Sequence, residues 1–176
     1  MNPQLTRWTG PEGLPRFDLI HDTDFAPAFD ATLAQAEAAH EAIAANPEAP
    51  DFANTIAAME LADEGLNRVL SVFYTLAGVD SNDARQALQR DFAPRLAEYG
   101  SRISMDPRLY ARVRAVAEGA DALAPEDRRI TELALRDLTR AGAGLDAEGR
   151  ARMAQIRARL AVLTTEFTQN VLTDER

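Results

Sequence analysis

The residues able to do chemistry are few, and their spacing keeps them apart. His21 and His40 are the only histidines, and no cysteine accompanies them. Zinc needs three or four convergent ligands, and no His-x-x-x-His spacing occurs. His40 therefore reads as a packed or hydrogen-bonded histidine on an inner helical face, and His21 as a linker residue. Glu60 and Glu64, one helical turn apart, would aim two carboxylates at a metal or substrate only if other helices added partners, so they are assigned to a solvated face. Arg150, Arg152, Arg157 and Arg159 form two pairs spaced by seven, the polar flank of an amphipathic helix. Ser71, Ser101, Ser104, Tyr74, Tyr99 and Tyr110 supply hydroxyls, but a nucleophilic serine needs a base and a third orienting group, and none is readable. Gly142-Ala143-Gly144 follows a helix instead of joining a strand to one, so it is no phosphate loop. The expectation is a chain with no catalytic, cofactor-binding or metal-ligating residue of its own.

The elements that hold these groups follow from hydrophobic period. Residues 1–21 contain Pro3, Gly10, Pro11, Gly13 and Pro15, too many breakers for a regular helix. They are expected to form an extended arm that buries Trp8, Leu14, Phe17 and Ile20 against a neighbouring surface. Residues 22–176 are expected to be helical. Phe25, Phe29, Leu33, Ala36, His40 and Ile43 share one face of a helix over about 24–45, which Asp24 caps and Asn46-Pro47 ends. Phe52, Ile56, Met59, Leu66, Leu70, Phe73 and Leu76 or Ala77 predict a second long helix stopped by Gly78. Leu88, Phe92, Leu96, Tyr99 and Ile103 predict a third from near Ser81, kinked at Pro94. Asp106-Pro107 opens a fourth with Leu109, Val113 and Val116 inward as far as Gly119. Pro125 opens a fifth with Ile130, Leu133 or Ala134, and Leu138 inward, closing at Gly142. Asp146 caps a sixth whose inward stripe is Met153, Ile156, Leu160, Leu163, Phe167 and Val171.

No period-two alternation marks a strand, so the class is all-α: about six helices in an up-and-down antiparallel bundle behind the arm, around a single core. With 28 acidic residues against 19 basic ones, all arginine, the net charge is −9. That field repels phosphate backbones and anionic headgroups, which argues against nucleic acid and membrane as partners. No segment reaches the length of a membrane span and no signal peptide opens the chain, so a cytoplasmic location is expected.

In order, the landmarks resemble one family. The arm Trp8-Thr9-Gly10-Pro11-Glu12-Gly13-Leu14-Pro15-Arg16-Phe17-Asp18-Leu19-Ile20 and the following Phe25-Ala26-Pro27-Ala28-Phe29 look like the opening of the thimet oligopeptidase family of zinc metallopeptidases. Ala42-Ile43-Ala44-Ala45-Asn46-Pro47, Phe52-x-Asn54-Thr55-Ile56 with Met59-Glu60, Ser81-Asn82-Asp83, Ala141-Gly142-Ala143-Gly144-Leu145 and Phe167-Thr168-Gln169-Asn170-Val171-Leu172 continue the likeness. Within the family the arm and the Asn-Pro linker look most like its bacterial peptidyl-dipeptidase branch. Asp51 and Thr168 depart from the threonine and serine usual at those places.

The resemblance implies a parent enzyme whose zinc is held by a His-Glu-x-x-His helix and a further glutamate several hundred residues downstream, all absent from this chain. It implies that this region forms one wall of a deep channel that admits short, unfolded peptides to a peptidase releasing C-terminal dipeptides. An endo-acting oligopeptidase of the same family and a free-standing helical interaction module are the alternatives. The end at Asp174-Glu175-Arg176 carries no C-cap signal, so the chain reads as an amino-terminal fragment. Zinc is expected in the parent and not in the fragment, and the partners are the catalytic region of the same polypeptide and short peptides. The fragment alone is expected to be inactive and to self-associate through the Trp8–Ile20 arm or the Phe167–Leu172 end.

Overall fold

The computed structural model describes residues 2–153 together with 155, 156, 159, 160, 163 and 167. Among them no strand occurs, and six α-helices are defined: α1 (Phe25–Ala44), α2 (Ala58–Ala62), α3 (Glu64–Val79), α4 (Asp83–Ser104), α5 (Pro107–Glu118) and α6 (Pro125–Ala141). Residues 147–153 begin a further helical stretch.

Local chemistry sets the helix ends. Asn82 and Asp106 have extended backbones, and their side-chain oxygens accept from the amides of Arg85 (2.8 Å) and Arg108 (2.7 Å), so each satisfies a donor that a helix start leaves free. Pro107 and Pro125 stand in first turns, where the missing amide costs nothing. Gly142 ends α6 with φ 97°, a left-handed cap that favours glycine. Asp146 accepts from the Gly149 amide at 2.7 Å, as its expected capping role requires. Asp24 does not cap α1. Its carboxylate accepts instead from the His21 amide (2.9 Å) and from Asn2 Nδ2 (2.8 Å), closing the turn before the helix. Helix α4 continues through Pro94.

Residues 2–21 depart from the extended arm expected over 1–21. They wind through short 3-10 turns at Pro3–Leu5, Pro11–Gly13 and Phe17–Leu19, and a fourth, Asp22–Asp24, leads into α1. Prolines at the first position of two turns supply the φ these turns need. Leu5 and Ile20 are buried and Trp8 is partly so, whereas Leu14 and Phe17 stay exposed, contrary to expectation. A turn shows the core only about one side chain in three, and in the middle of the arm that one is Pro15, which is buried while Leu14 and Phe17 are not. Arg68 on α3 donates to the Thr6 carbonyl at 3.0 Å and pins the arm.

The second predicted helix is three pieces. A π-helical turn, Phe52–Ala57, leads into α2, and the chain breaks at Asp63 before α3. This break divides the interior, so there are two hydrophobic clusters and not one. Leu66, Val69, Val72 and Phe73 of α3 pack with Phe25, Phe29 and Leu33 of α1, Phe92 and Tyr99 of α4, and Leu5 and Ile20. Phe29 and Phe92 stack with ring centroids 3.9 Å apart, while Phe73 meets Phe25 edge-on at 5.1 Å. Ile56, with Phe52 and Met59 at its flank, joins Val113, Val116, Leu138 and Ala143 in the second cluster, between α5 and α6. A single straight helix would have aimed the whole stripe one way.

The sixth stripe is not inward. Ile156, Leu160, Leu163 and Phe167 are 42%, 56%, 41% and 69% exposed, because no described element lies against them; Val171 is outside the described residues.

Candidate functional site

The polar groups that converge in the interior do so where the chain breaks between α2 and α3. Asp63 sits in that break, on the same spacing as Met59 and Leu66, and faces α1 and α4. His40, only 3% exposed, brings Nε2 to 3.4 Å from Asp63 Oδ2, and the Tyr99 hydroxyl donates to Oδ1. The two rings meet edge-on at 6.1 Å. Burial pushes the Asp63 carboxyl up, but the His40 and Tyr99 contacts outweigh it and hold the group below the usual carboxylate range. Burial, and then the carboxylate beside it, push the Tyr99 hydroxyl well above its ordinary value. The phenol thus stays a proton donor at any physiological pH. Nδ1 of His40 is buried and meets no partner among the described residues.

Outward from this cluster, α1 is laced by ion pairs to α4 and, through Arg108, to α5. Arg95 donates to Asp30 at 2.7 Å while lying 4.7 Å over the Phe29 ring, Arg102 pairs with Glu37, and Arg108 makes two bonds of 2.8 Å to Glu41. Glu41 is held below its usual range by those bonds. Two clefts lie along this seam, one bordered by Asp30, Glu98 and Tyr99, the other by Glu37, Asp106 and His40.

A second node centres on Arg112 of α5, buried without a carboxylate partner. Its Nη1 donates to the carbonyls of Asn46 (2.8 Å) and Glu48 (3.1 Å), and its Nη2 to Asn54 Oδ1 (2.7 Å) and Thr55 Oγ1 (3.2 Å). The guanidinium fork suits this work because its donors are fixed in one plane. It clamps the Asn46–Pro50 connection and the π-helical turn onto α5.

The remaining polar residues lie apart from these nodes. His21 precedes the turn into α1. The fifteen helical steps from Phe25 to His40 set it roughly 20 Å away along the axis. Glu60 is exposed, and Glu64 pairs with Arg68 along α3. Tyr74 packs edge-on against Phe73 at 5.2 Å, and the Tyr110 ring lies so close to Gly144 that a Cβ there would come within 2.9 Å of it. Ser71 accepts from Thr75 through its carbonyl, the Ser104 hydroxyl donates to the Ser101 carbonyl at 3.2 Å, and that of Ser101 donates to the Met105 sulfur at 3.7 Å. Arg150 donates to the Leu145 carbonyl and Arg152 to Gln155; Arg159 is exposed, and Arg157 lies outside the described residues.

Among the described residues no three His, Cys, Asp or Glu side chains are grouped to hold a metal ion, and no helix is long and apolar enough to cross a membrane. The donors present do not fit zinc: His40 has one carboxylate beside it, already taken by Tyr99, and His21 is remote.

Sequence reasoning missed Asp63 and Arg112, although each left a signal. A lone carboxylate at 63 interrupts the apolar series Met59, Leu66, and an arginine at 112 stands among Leu109, Val113 and Val116. A charge on an inward face demands a partner.

No family model matches the chain. It is similar to dipeptidyl carboxypeptidase of Escherichia coli (strain K12), 38% identical over 174 residues that make up 98% of this chain and 26% of that protein. It is also similar to dipeptidyl carboxypeptidase of Salmonella typhimurium, 36% identical over 97% of this chain and 25% of the relative. Oligopeptidase A of Salmonella typhimurium is 30% identical over the same two shares. The chain thus spans about a quarter of the length of the curated relatives it matches.

Proposed function

We propose, for a chain that belongs to the thimet oligopeptidase family of peptidases with dipeptidyl carboxypeptidase and oligopeptidase A, that it is the amino-terminal helical domain of a cytoplasmic zinc peptidase. The parent releases dipeptides from the carboxyl ends of short, unfolded peptides. This domain forms a wall of the channel leading to the chemistry and takes no part in bond cleavage. The zinc and its ligands belong to polypeptide outside these 176 residues.

The observation that carries the reading is the likeness to dipeptidyl carboxypeptidase over 98% of the chain. The higher identity there, 38% against 30% for oligopeptidase A of Salmonella typhimurium, favours the dipeptide-releasing branch. The structure supports a wall in particular: α1 is tied to α4 by ion pairs and stacked aromatic rings and to α5 by the Arg108–Glu41 pair, a stiff surface whose side chains are engaged with one another.

The test is to substitute this chain for the matching quarter of the Escherichia coli enzyme and follow cleavage of a peptide with a free carboxyl terminus. Release of dipeptides is expected. Cleavage inside the peptide would favour the oligopeptidase alternative, and a folded but inactive chimera would defeat the reading.

A further inference from the structure

Beyond the two cores, one apolar surface has no described partner. Ile156, Leu160, Leu163 and Phe167 recur at intervals of four, three and four in helical backbone, which sets them along one face, and all four are exposed. Neither core cluster, as formed by the described residues, contains any of them. Arg152 and Arg159 of this stretch are also exposed. An amphipathic helix of this kind is built to be covered on one side.

We infer that the Ile156–Leu160–Leu163–Phe167 stripe is the seat of an apolar segment of the parent polypeptide lying outside these 176 residues, an internal joint between this domain and the remainder. The inference rests on the reading of the chain as one domain of a longer peptidase. Its support is that the relatives carry about three times as much polypeptide again as the part this chain matches. A second copy is the weaker occupant on physical grounds. Stable association of separate molecules takes roughly 800 Å² and some 20 to 30 residues from each side, which four side chains do not supply, and copies bearing −9 each repel. A tethered segment meets the stripe at an effective concentration in the millimolar range, so a narrow contact suffices.

The chimera with the Escherichia coli enzyme provides the test, carrying Leu160→Glu or Phe167→Glu, with Leu61→Glu on the exposed side of α2 as the control. Thermal unfolding, dipeptide release and sedimentation are measured on the chimera, and thermal unfolding on the 176-residue chain with the same changes. Either stripe substitution is expected to lower the melting temperature of the chimera by about 5 °C or more while leaving that of the isolated chain within about 2 °C; the control shifts neither. A chimera indifferent to both substitutions overturns the inference. So does an isolated chain that loses as much as the chimera, since the stripe would then pack within this chain, and so does a chimera that is a dimer split by the substitutions. A folded chimera that releases no dipeptide, yet melts earlier with either stripe substitution, faults the functional reading and upholds the joint.

Discussion

The Asp63 carboxylate, held in the break between α2 and α3, accepts a hydrogen bond from the Tyr99 hydroxyl of α4 and so ties two elements that share no backbone bond. Hydrogen bonds to a charged partner contribute about 1.5–3 kcal/mol, less where one group is partly solvated. Tyr99→Phe keeps the ring and removes the donor, so it is expected to cost about 1–2 kcal/mol in urea unfolding at pH 7. An unchanged midpoint would show that the bond carries no net stability.

The same carboxylate sets a pH dependence. Its folded-state value lies below the ordinary 3.8, so the stability it contributes is present above about pH 4 and is lost as pH falls through the folded value. Asp63→Asn is therefore expected to be less stable than the unsubstituted chain at pH 7 and to lose less on going from pH 5 to pH 3. Parallel pH profiles for the two proteins would refute this.

Arg112 is buried and donates to four acceptors at once. Arg112→Met leaves the carbonyls of Asn46 and Glu48 and the side chains of Asn54 and Thr55 short of a donor, at an expected cost of about 3 kcal/mol. Arg112→Lys is expected to recover less than half of that, because an ammonium cannot span four acceptors in one plane. Denaturant unfolding compares the two, and full rescue by lysine would deny the fork its role.

Gly10 allows the arm to fold on itself. Its amide donates to the Leu14 carbonyl at 2.8 Å, and a Cβ would lie 2.5 Å from that same oxygen. Gly10→Ala is expected to loosen the arm without melting the helices, seen as a red shift of Trp8 fluorescence with an unchanged far-ultraviolet helical signal. Identical Trp8 emission in both proteins would mean the turn tolerates the methyl group.

The chain by itself is expected to retain no zinc after exposure and desalting and to cleave no peptide. One zinc per chain, lost on His40→Ala, would contradict the donor geometry around Asp63.

Much of this was legible in the amino-acid sequence. The helical class, the inward faces of α1, α4, α5 and α6, and the caps at Asp106, Pro125, Gly142 and Asp146 follow from local period and capping chemistry, which depend on residues a few positions apart. The family likeness, too, is a property of residue order. What the tertiary structure alone decided is where one stripe changes allegiance. Phe52–Met59 and Leu66–Ala77 read as one helix, because periodicity does not register a break that preserves spacing; only the packing of α5 and α6 on one side and α1 and α4 on the other separates them at Asp63. The partners of Asp63 and Arg112 are likewise set by contacts 23 to 66 residues apart in the chain, a distance over which local pattern carries no information. The stripe from Ile156 to Phe167 shows the converse: the sequence marks a face for burial, and whether this chain buries it depends on what the fold brings against it.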